Sequence, residues 1–494
     1  MSKETMFTST HQSLLLLDAP LSLAAVIGLF AAGCLLIMLW ARSMQPHHLV
    51  LGFATTAVLW FLAYIAMLAP GLAVGEALFA LMLAVLFMGG FVAGKMGVDD
   101  TGRAITPWKV GLVSAIANLL VLGAFLRDEK GGSQFTPLIY VVGLFATSML
   151  LAWMGGMVAR KRSTPSKPAP RAVGLFAIVA AGTVFLMLIT GGLVTSYESG
   201  LAVPDWPNSF GHNMLLYPIS EMKGGIFWEH AHRLYGMLVG ATMLVFFIVL
   251  LRGEQRRWIQ LLGAIALLCV IVQGVLGGLR VTGNFTNAVD GATLAPSIFL
   301  AIVHGTFGQI VFALLAVIAV ATSKRFAEMI PRVRVGAALD RTFTVALCVM
   351  TVLQIALGAC YRHLTIPPIG DVKGSTPAWA MHSHLSFGVL LAAFGILIAV
   401  RAIGLSDGVK PVRAMGKALM MLFILQVCLG LGALVTIMMR KDGNIPALEV
   451  ILTTSHQVTG ALVLAHAAML ATWTRRAFLS DAGVGGVPII PIAN

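Results

Sequence analysis

The chain has 494 residues, of which 58% are hydrophobic and only 11% charged, against about 25% charged in an ordinary soluble domain. That balance excludes a water-soluble globular protein and indicates a polytopic membrane protein. A net charge of +13 would suit a nucleic-acid binder, but the basic residues sit in the connections between apolar runs, where they report topology instead.

Thirteen apolar runs are long enough to cross about 30 Å of hydrocarbon as helices: 21 to 41, 49 to 69, 71 to 94, 108 to 126, 136 to 159, 172 to 194, 227 to 251, 258 to 281, 297 to 322, 342 to 362, 376 to 400, 413 to 439 and 447 to 472. The expected fold is all-α: a five-helix extension, then two pseudo-repeated four-helix bundles. With the N-terminus outside, the loops assigned to the cytoplasm hold 23 of the 33 Lys and Arg residues, and the C-terminus is cytoplasmic. The first twenty residues are too weakly apolar for a signal peptide and lack the arginine of a transit peptide, so a bacterial inner membrane is expected. The five cysteines, Cys34, Cys269, Cys348, Cys360 and Cys428, form no CxxC pair and read as small packing residues.

Residues 1–160 form an N-terminal membrane domain whose role the sequence does not name. Its spans hold no intramembrane histidine; His47-His48 are placed in a short loop, and Glu76 and Asn118 are expected to cap or cross-link neighbouring helices. The stretch 161–171, rich in charge and proline, is a cytoplasmic linker. The first bundle covers 172–325, the second 326–477, and 478–494 is a tail.

The two bundles carry a repeated pattern. Glu229-His230-Ala231-His232-Arg233 and Met381-His382-Ser383-His384-Leu385 both place HxH at the start of an apolar span, and from 232 to 304 and from 384 to 456 are both 72 positions. Glycine follows each of these four histidines by four residues, at 236, 308, 388 and 460, on the same helical face. Room for a flat ring beside an iron ligand is the expected reading, so each pair, His232 with His304 and His384 with His456, would clamp a haem. Two filled axial positions suit electron transfer, whereas oxygen chemistry needs one to open. All four lie five to ten residues into a helix running inward from the outer face, below a long external loop, 195 to 225, that would cap the site.

Residues two apart on a helix point about 200° from each other, so His230 and His382 cannot face the same ring as their neighbours and are expected to support or pack, a ligand swap remaining the alternative. His466 lies deeper and reads as structural. Glu229 and Arg233 have no counterpart in the second copy, where Met381 and Leu385 stand. A carboxylate beside one ring only suggests proton handling or stabilisation of developing positive charge there; the other reading is an internal Glu229 and Arg233 ion pair. Arg233, Arg280 and Arg362 are candidate partners for haem propionates. The Gln-x3-Gly pairs at 273 and 277, 354 and 358, and 426 and 430 are read as interhelical hydrogen bonding and close packing. No phosphate-binding loop or dinucleotide fingerprint is present, so nucleotide and flavin binding are unsupported.

From about residue 172 to 477 the chain resembles the heme A synthase family. The residues that carry the resemblance are Gly191-Gly-Leu-Val-Thr-Ser-Tyr-Glu-Ser-Gly-Leu201, Pro204-Asp-Trp-Pro207, Glu229-x-x-His232-Arg233, Gly277-Gly-Leu-Arg-Val-Thr282, His304, His384 and His456. The resemblance implies substrate haem O held by His232 and His304, a haem b cofactor held by His384 and His456, and a required Glu229. It further implies oxidation of the haem O methyl to the formyl of haem A for assembly of a haem-copper oxidase. The partners implied are the farnesyltransferase that makes haem O and an electron donor, with a homo-oligomer also open. Three departures stand out: no cysteine pair in the first external loop, Leu385 where an arginine often follows the third histidine, and five leading spans outside the family pattern. Two other classes fit the repeated histidines: a quinol-linked diheme b-type cytochrome, and a haem-handling membrane protein without catalysis.

Overall fold

A computed structural model describes residues 44–68, 71–128, 136–162, 169–282, 297–365, 375–404, 409–440 and 445–480, with residues 35, 39, 40 and 42 besides. Most of the first predicted span, 21 to 41, and Cys34 lie outside the described residues. Among those described, twelve helices are long and apolar enough to cross a membrane, so the protein is an all-α, multi-pass membrane protein. They are α1 Pro46–Leu68, α2 Leu72–Met96, α3 Pro107–Asp128, α4 Thr136–Arg162, α5 Ala172–Ser196, α6 Gly225–Gly253, α7 Arg257–Val281, α8 Ile298–Thr322, α9 Ala337–Leu364, α10 Ala378–Gly404, α11 Lys410–Met439 and α12 Ala447–Ala477. Hydropathy alone locates nearly all their ends because unpaired backbone groups in hydrocarbon leave no spanning alternative to a helix. The chain divides into two compact units, Met1–Leu300 and Ala301–Asn494.

In the first unit, α2 and α4 approach closely through small residues. A Cβ added at Gly90 would overlap the carbonyl of Ala152, and one at Gly94 would fall 2.6 Å from the carbonyl oxygen of Gly156. Lipid tails give helices no hydrophobic reason to associate, so close backbone contact takes over that role. Gly90→Val is therefore expected to destabilise the unit by about 1–3 kcal/mol or more, seen as a lower unfolding midpoint in detergent. Gly75→Val, where an added Cβ meets nothing within 4 Å, should leave the midpoint unchanged.

Polar side chains tie α1 to α3: Thr56 Oγ1 donates to Ser114 Oγ at 3.0 Å and Trp60 Nε1 to Asn118 Oδ1 at 2.8 Å. Asn118 thus cross-links helices as expected. His47 and His48 are not in a loop. Pro46, pre-set for a first helical turn, starts α1 earlier than hydropathy indicated, and both rings are buried, with His48 Nε2 accepting from the Thr106 amide at 2.9 Å.

The N-terminal helices also meet α6. Tyr64 of α1 stacks on Phe227 at 5.2 Å and meets Trp228 and Tyr235 edge-on, and Trp60 meets Tyr235 edge-on at 5.8 Å. Toward the far end of α3, a Cβ at Gly123 would lie 2.7 Å from the carbonyl oxygen of Leu215 in the loop before α6. The extension therefore packs directly on the helix that carries His232.

The second unit contains α9 to α12. At one end Asp340, 3% exposed, accepts from Arg334 at 3.1 Å and Arg401 at 2.6 Å. Arg341 donates to the Phe478 carbonyl, and the short strand Arg332–Val333 pairs in parallel with Phe478–Leu479. At the other end Arg440 and Glu449, both largely buried, lie 3.6 Å apart. Charge is thus confined to the ends of the helices, and the four cysteines among the described residues are free.

Candidate functional site

The second unit brings His384 and His456 together. Their ring centres are 6.2 Å apart with planes crossing at 85°. Each imidazole is fixed from a neighbouring helix. The Gln354 amide nitrogen lies 3.0 Å from His384 Nδ1 and donates to the His384 carbonyl at 2.9 Å. His456 Nδ1 lies 3.2 Å from the Gln426 carbonyl, and the Gln426 amide is 3.4 Å from His456 Nε2. The rings rest on glycine: a Cβ at Gly358 would fall 2.8 Å from His384 Cε1, and one at Gly430 would fall 2.8 Å from His456 Cε1.

The Gln-x3-Gly pairs at 354 and 426 thus make the interhelical hydrogen bonds and close packing expected of them, and the partners are the two histidines. The repeat was visible in the sequence, but an interhelical glutamine has many partners available and nothing in its spacing singles out a histidine. The glycines four residues after the histidines serve differently from expectation. A Cβ at Gly388 would lie 2.9 Å from Gln354 Nε2, and one at Gly460 would lie 3.4 Å from Gln426 Nε2. They clear space for the glutamine side chains that contact the two histidines.

In the first unit the same construction recurs with different chemistry. His232 Nδ1 lies 3.1 Å from the Thr190 hydroxyl, and its ring rests on Gly191, where a Cβ would fall 2.9 Å from Cε1. A hydroxyl on α5 here replaces the amide of the second unit. His304 stands on α8, half-buried, in the second unit.

Glu229 and Arg233 form the ion pair considered above, at 2.7 Å. Both also grip the connecting loop: Glu229 Oε2 accepts from the Val203 amide at 2.9 Å, while Arg233 donates to the carbonyls of Val203 and Asp205 at 2.6 Å each and Asn208 at 3.0 Å. These donors hold the loop against α6. The sequence could not show this, because backbone carbonyls carry no residue signature. The loop is itself shaped by Asp205, which accepts from the amides of Phe210 and Gly211, and by the hairpin pairing Asn208 with Asn213. The Arg280 guanidinium packs on Gly200, and Trp206 on Gly278.

His230 is fully buried, 3.1 Å from Ser209 Oγ and 5.0 Å from the Tyr217 ring. It anchors the same loop, in keeping with the supporting role expected of it. His382 and Leu385 are exposed and Arg362 is half-buried. His466 bonds its own helix through the Leu462 carbonyl at 2.8 Å and is structural.

The pair in the second unit suits a metal held between two imidazoles. Nitrogen-to-metal bonds of about 2 Å on either side, plus the two half-widths of the rings, roughly span the observed separation. At His456, Nδ1 faces the Gln426 carbonyl, the division of labour of a ligating histidine, with the Gln426 side-chain amide 3.4 Å from Nε2.

Comparisons with known proteins point the same way. Residues 174–366 match the family model for "Cytochrome oxidase assembly protein". A heme A synthase of Rhodospirillum centenum is 31% identical over 153 residues, 25% of this chain and 40% of that protein. One from Beijerinckia indica is 27% identical over 327 residues, 56% of this chain and 88% of its own length. One from Orientia tsutsugamushi is 24% identical over 354 residues, covering 60% and 95%. The match to the Rhodospirillum protein thus spans well under half of that protein, whereas the other two are spanned almost entirely. What this chain resembles, over more than half of its length, is the heme A synthase family; the family-model match includes His232 and His304 and begins after four described transmembrane helices.

Proposed function

We propose that this protein is a haem A synthase, a membrane oxidoreductase that oxidises the methyl group of haem O to a formyl group for assembly of a haem-copper oxidase. The observation that carries the reading is the facing pair His384 and His456, whose 72-residue spacing recurs between His232 and His304. In this reading His384 and His456 hold haem b, and His232 and His304 hold haem O in the first bundle. A haem held by His384 and His456 would supply one-electron transfer. Gln354 and the Gln426 carbonyl fix its ligands, and Thr190 fixes His232.

Glu229, one helical turn before His232, accepts the proton that leaves the substrate. Arg233 keeps that carboxylate oriented by holding Oε1, and the loop it grips excludes water from the reacting carbon. Helices α1 and α3 buttress α6 and the loop before it. Haem O would come from the farnesyltransferase that makes it; two successive hydroxylations of its methyl group, each consuming dioxygen and two electrons from a separate donor, followed by loss of water, would give the formyl group. The protein would lie in a bacterial inner membrane, N-terminus outside and C-terminus cytoplasmic.

A diheme electron carrier is the second reading, favoured by the engagement of both Glu229 oxygens with Arg233 and Val203. Extraction and chromatography of the haems from purified protein, with and without a supply of haem O, separates the two. Haem A or haem O together with haem b is expected when haem O is supplied; haem b alone under both conditions would favour the carrier.

A further inference from the structure

Where α1 begins, the loop between α2 and α3 and the segment leading into α5 meet at one end of the first unit, since the Ala169 amide donates to the Val98 carbonyl at 3.2 Å. Three side chains converge there that no step above uses. One ring nitrogen of His47 and one carboxylate oxygen each of Asp99 and Asp100 lie within 4.8 Å of one another. His47 and Asp99 are each 1% exposed, and Asp100 faces solvent.

Two neighbouring aspartates alone would carry little, because Asp99 also shapes its own turn. Its Oδ1 accepts from the Thr101 amide and hydroxyl and the Arg103 amide, and its Oδ2 pairs with Arg103 at 3.1 Å. The histidine supplies an independent sign. His47 Nε2 lies 2.8 Å from the carbonyl oxygen of Pro170, which can only accept, so Nε2 carries the proton and Nδ1 the lone pair. That Nδ1 is buried with no hydrogen-bond partner. A metal-ligating histidine typically donates one ring N–H to a carbonyl and offers the other nitrogen to the ion.

We propose that His47 Nδ1, Asp99 and Asp100 bind a divalent transition-metal cation at this end of the N-terminal helices. A donor set of one imidazole and two carboxylates favours zinc or ferrous iron over magnesium or calcium, which prefer oxygen alone. Arg103, with 57% of its side chain exposed, can swing into solvent and release Oδ2. A bound cation would staple the first turn of α1 to the loop after α2 and to the segment entering α5, joining the N-terminal helices to the helix that carries Thr190 and Gly191.

The test uses the full chain as isolated in detergent, stripped with a chelator and titrated calorimetrically with Zn2+, with Mg2+ alongside. One saturable equivalent of Zn2+ and a raised thermal midpoint are expected, with no response to Mg2+. Asp100→Asn, at an exposed position, should keep the helical circular dichroism and weaken Zn2+ binding by at least about tenfold, as should His47→Gln. Absence of a saturable equivalent, or binding of parental strength in a folded Asp100→Asn protein, overturns the proposal.

Discussion

Replacing Glu229 by glutamine is expected to lower haem A formation by about two orders of magnitude or more while both haems stay bound. The size follows from loss of a positioned proton acceptor, which general acid-base catalysis puts at about 10²–10⁴-fold. Glutamine is the informative change because it keeps the shape and an acceptor oxygen for the Val203 amide, so the loop remains against α6. Alanine would confound two effects, since Arg233 would lose its carboxylate while still gripping the loop carbonyls. The ratio of haem A to haem O in membranes, read beside the Soret absorbance of the purified variant, separates chemistry from binding. Parental yield from the glutamine variant would remove Glu229 from the reaction and leave it as an anchor for the loop.

The second large effect falls on a residue with no chemistry of its own. Gly358→Val is expected to lose the haem of the second unit as completely as His384→Ala does, with the haem of the first bundle retained. No ligand is removed, but the added Cβ would lie 2.8 Å from His384 Cε1, and a displaced ring can no longer face His456 across 6.2 Å. Haem quantified per chain by pyridine haemochrome checks this. Full occupancy in Gly358→Val would show that His384 is not a ligand in the position found, or that the helices move freely to accommodate a side chain. Cores packed this closely do not generally permit such movement.

How much of this was legible in the sequence depended on how far apart the interacting residues lie. The twelve described spans follow from hydropathy because the bilayer admits one backbone solution. Helical periodicity keeps His230 and His232 from facing one ring, the glycine four residues on selected His232, and the structure places His230 beside Ser209 and Tyr217. What periodicity cannot deliver is the partner on the next helix. Gln354 and Gly358 lie in an earlier span than His384, and their relation appears only once α9 and α10 are side by side. The clamp of Arg233 on Val203, Asp205 and Asn208 was invisible for a related reason, since any residue supplies a carbonyl. His47 was misplaced because its burial comes from the segment at Pro170, far along the chain.

The glycine beds under His384 and His456 bear on how fast an electron could enter and leave a haem held between them. A ring whose tilt is dictated by backbone contact and a hydrogen bond, not by a choice of rotamer, has little latitude to relax when the charge beside it changes. Low reorganisation energy is the kinetic result, because the surroundings are already arranged for both oxidation states. Speed of transfer would then be written into two residues that have no side chain at all.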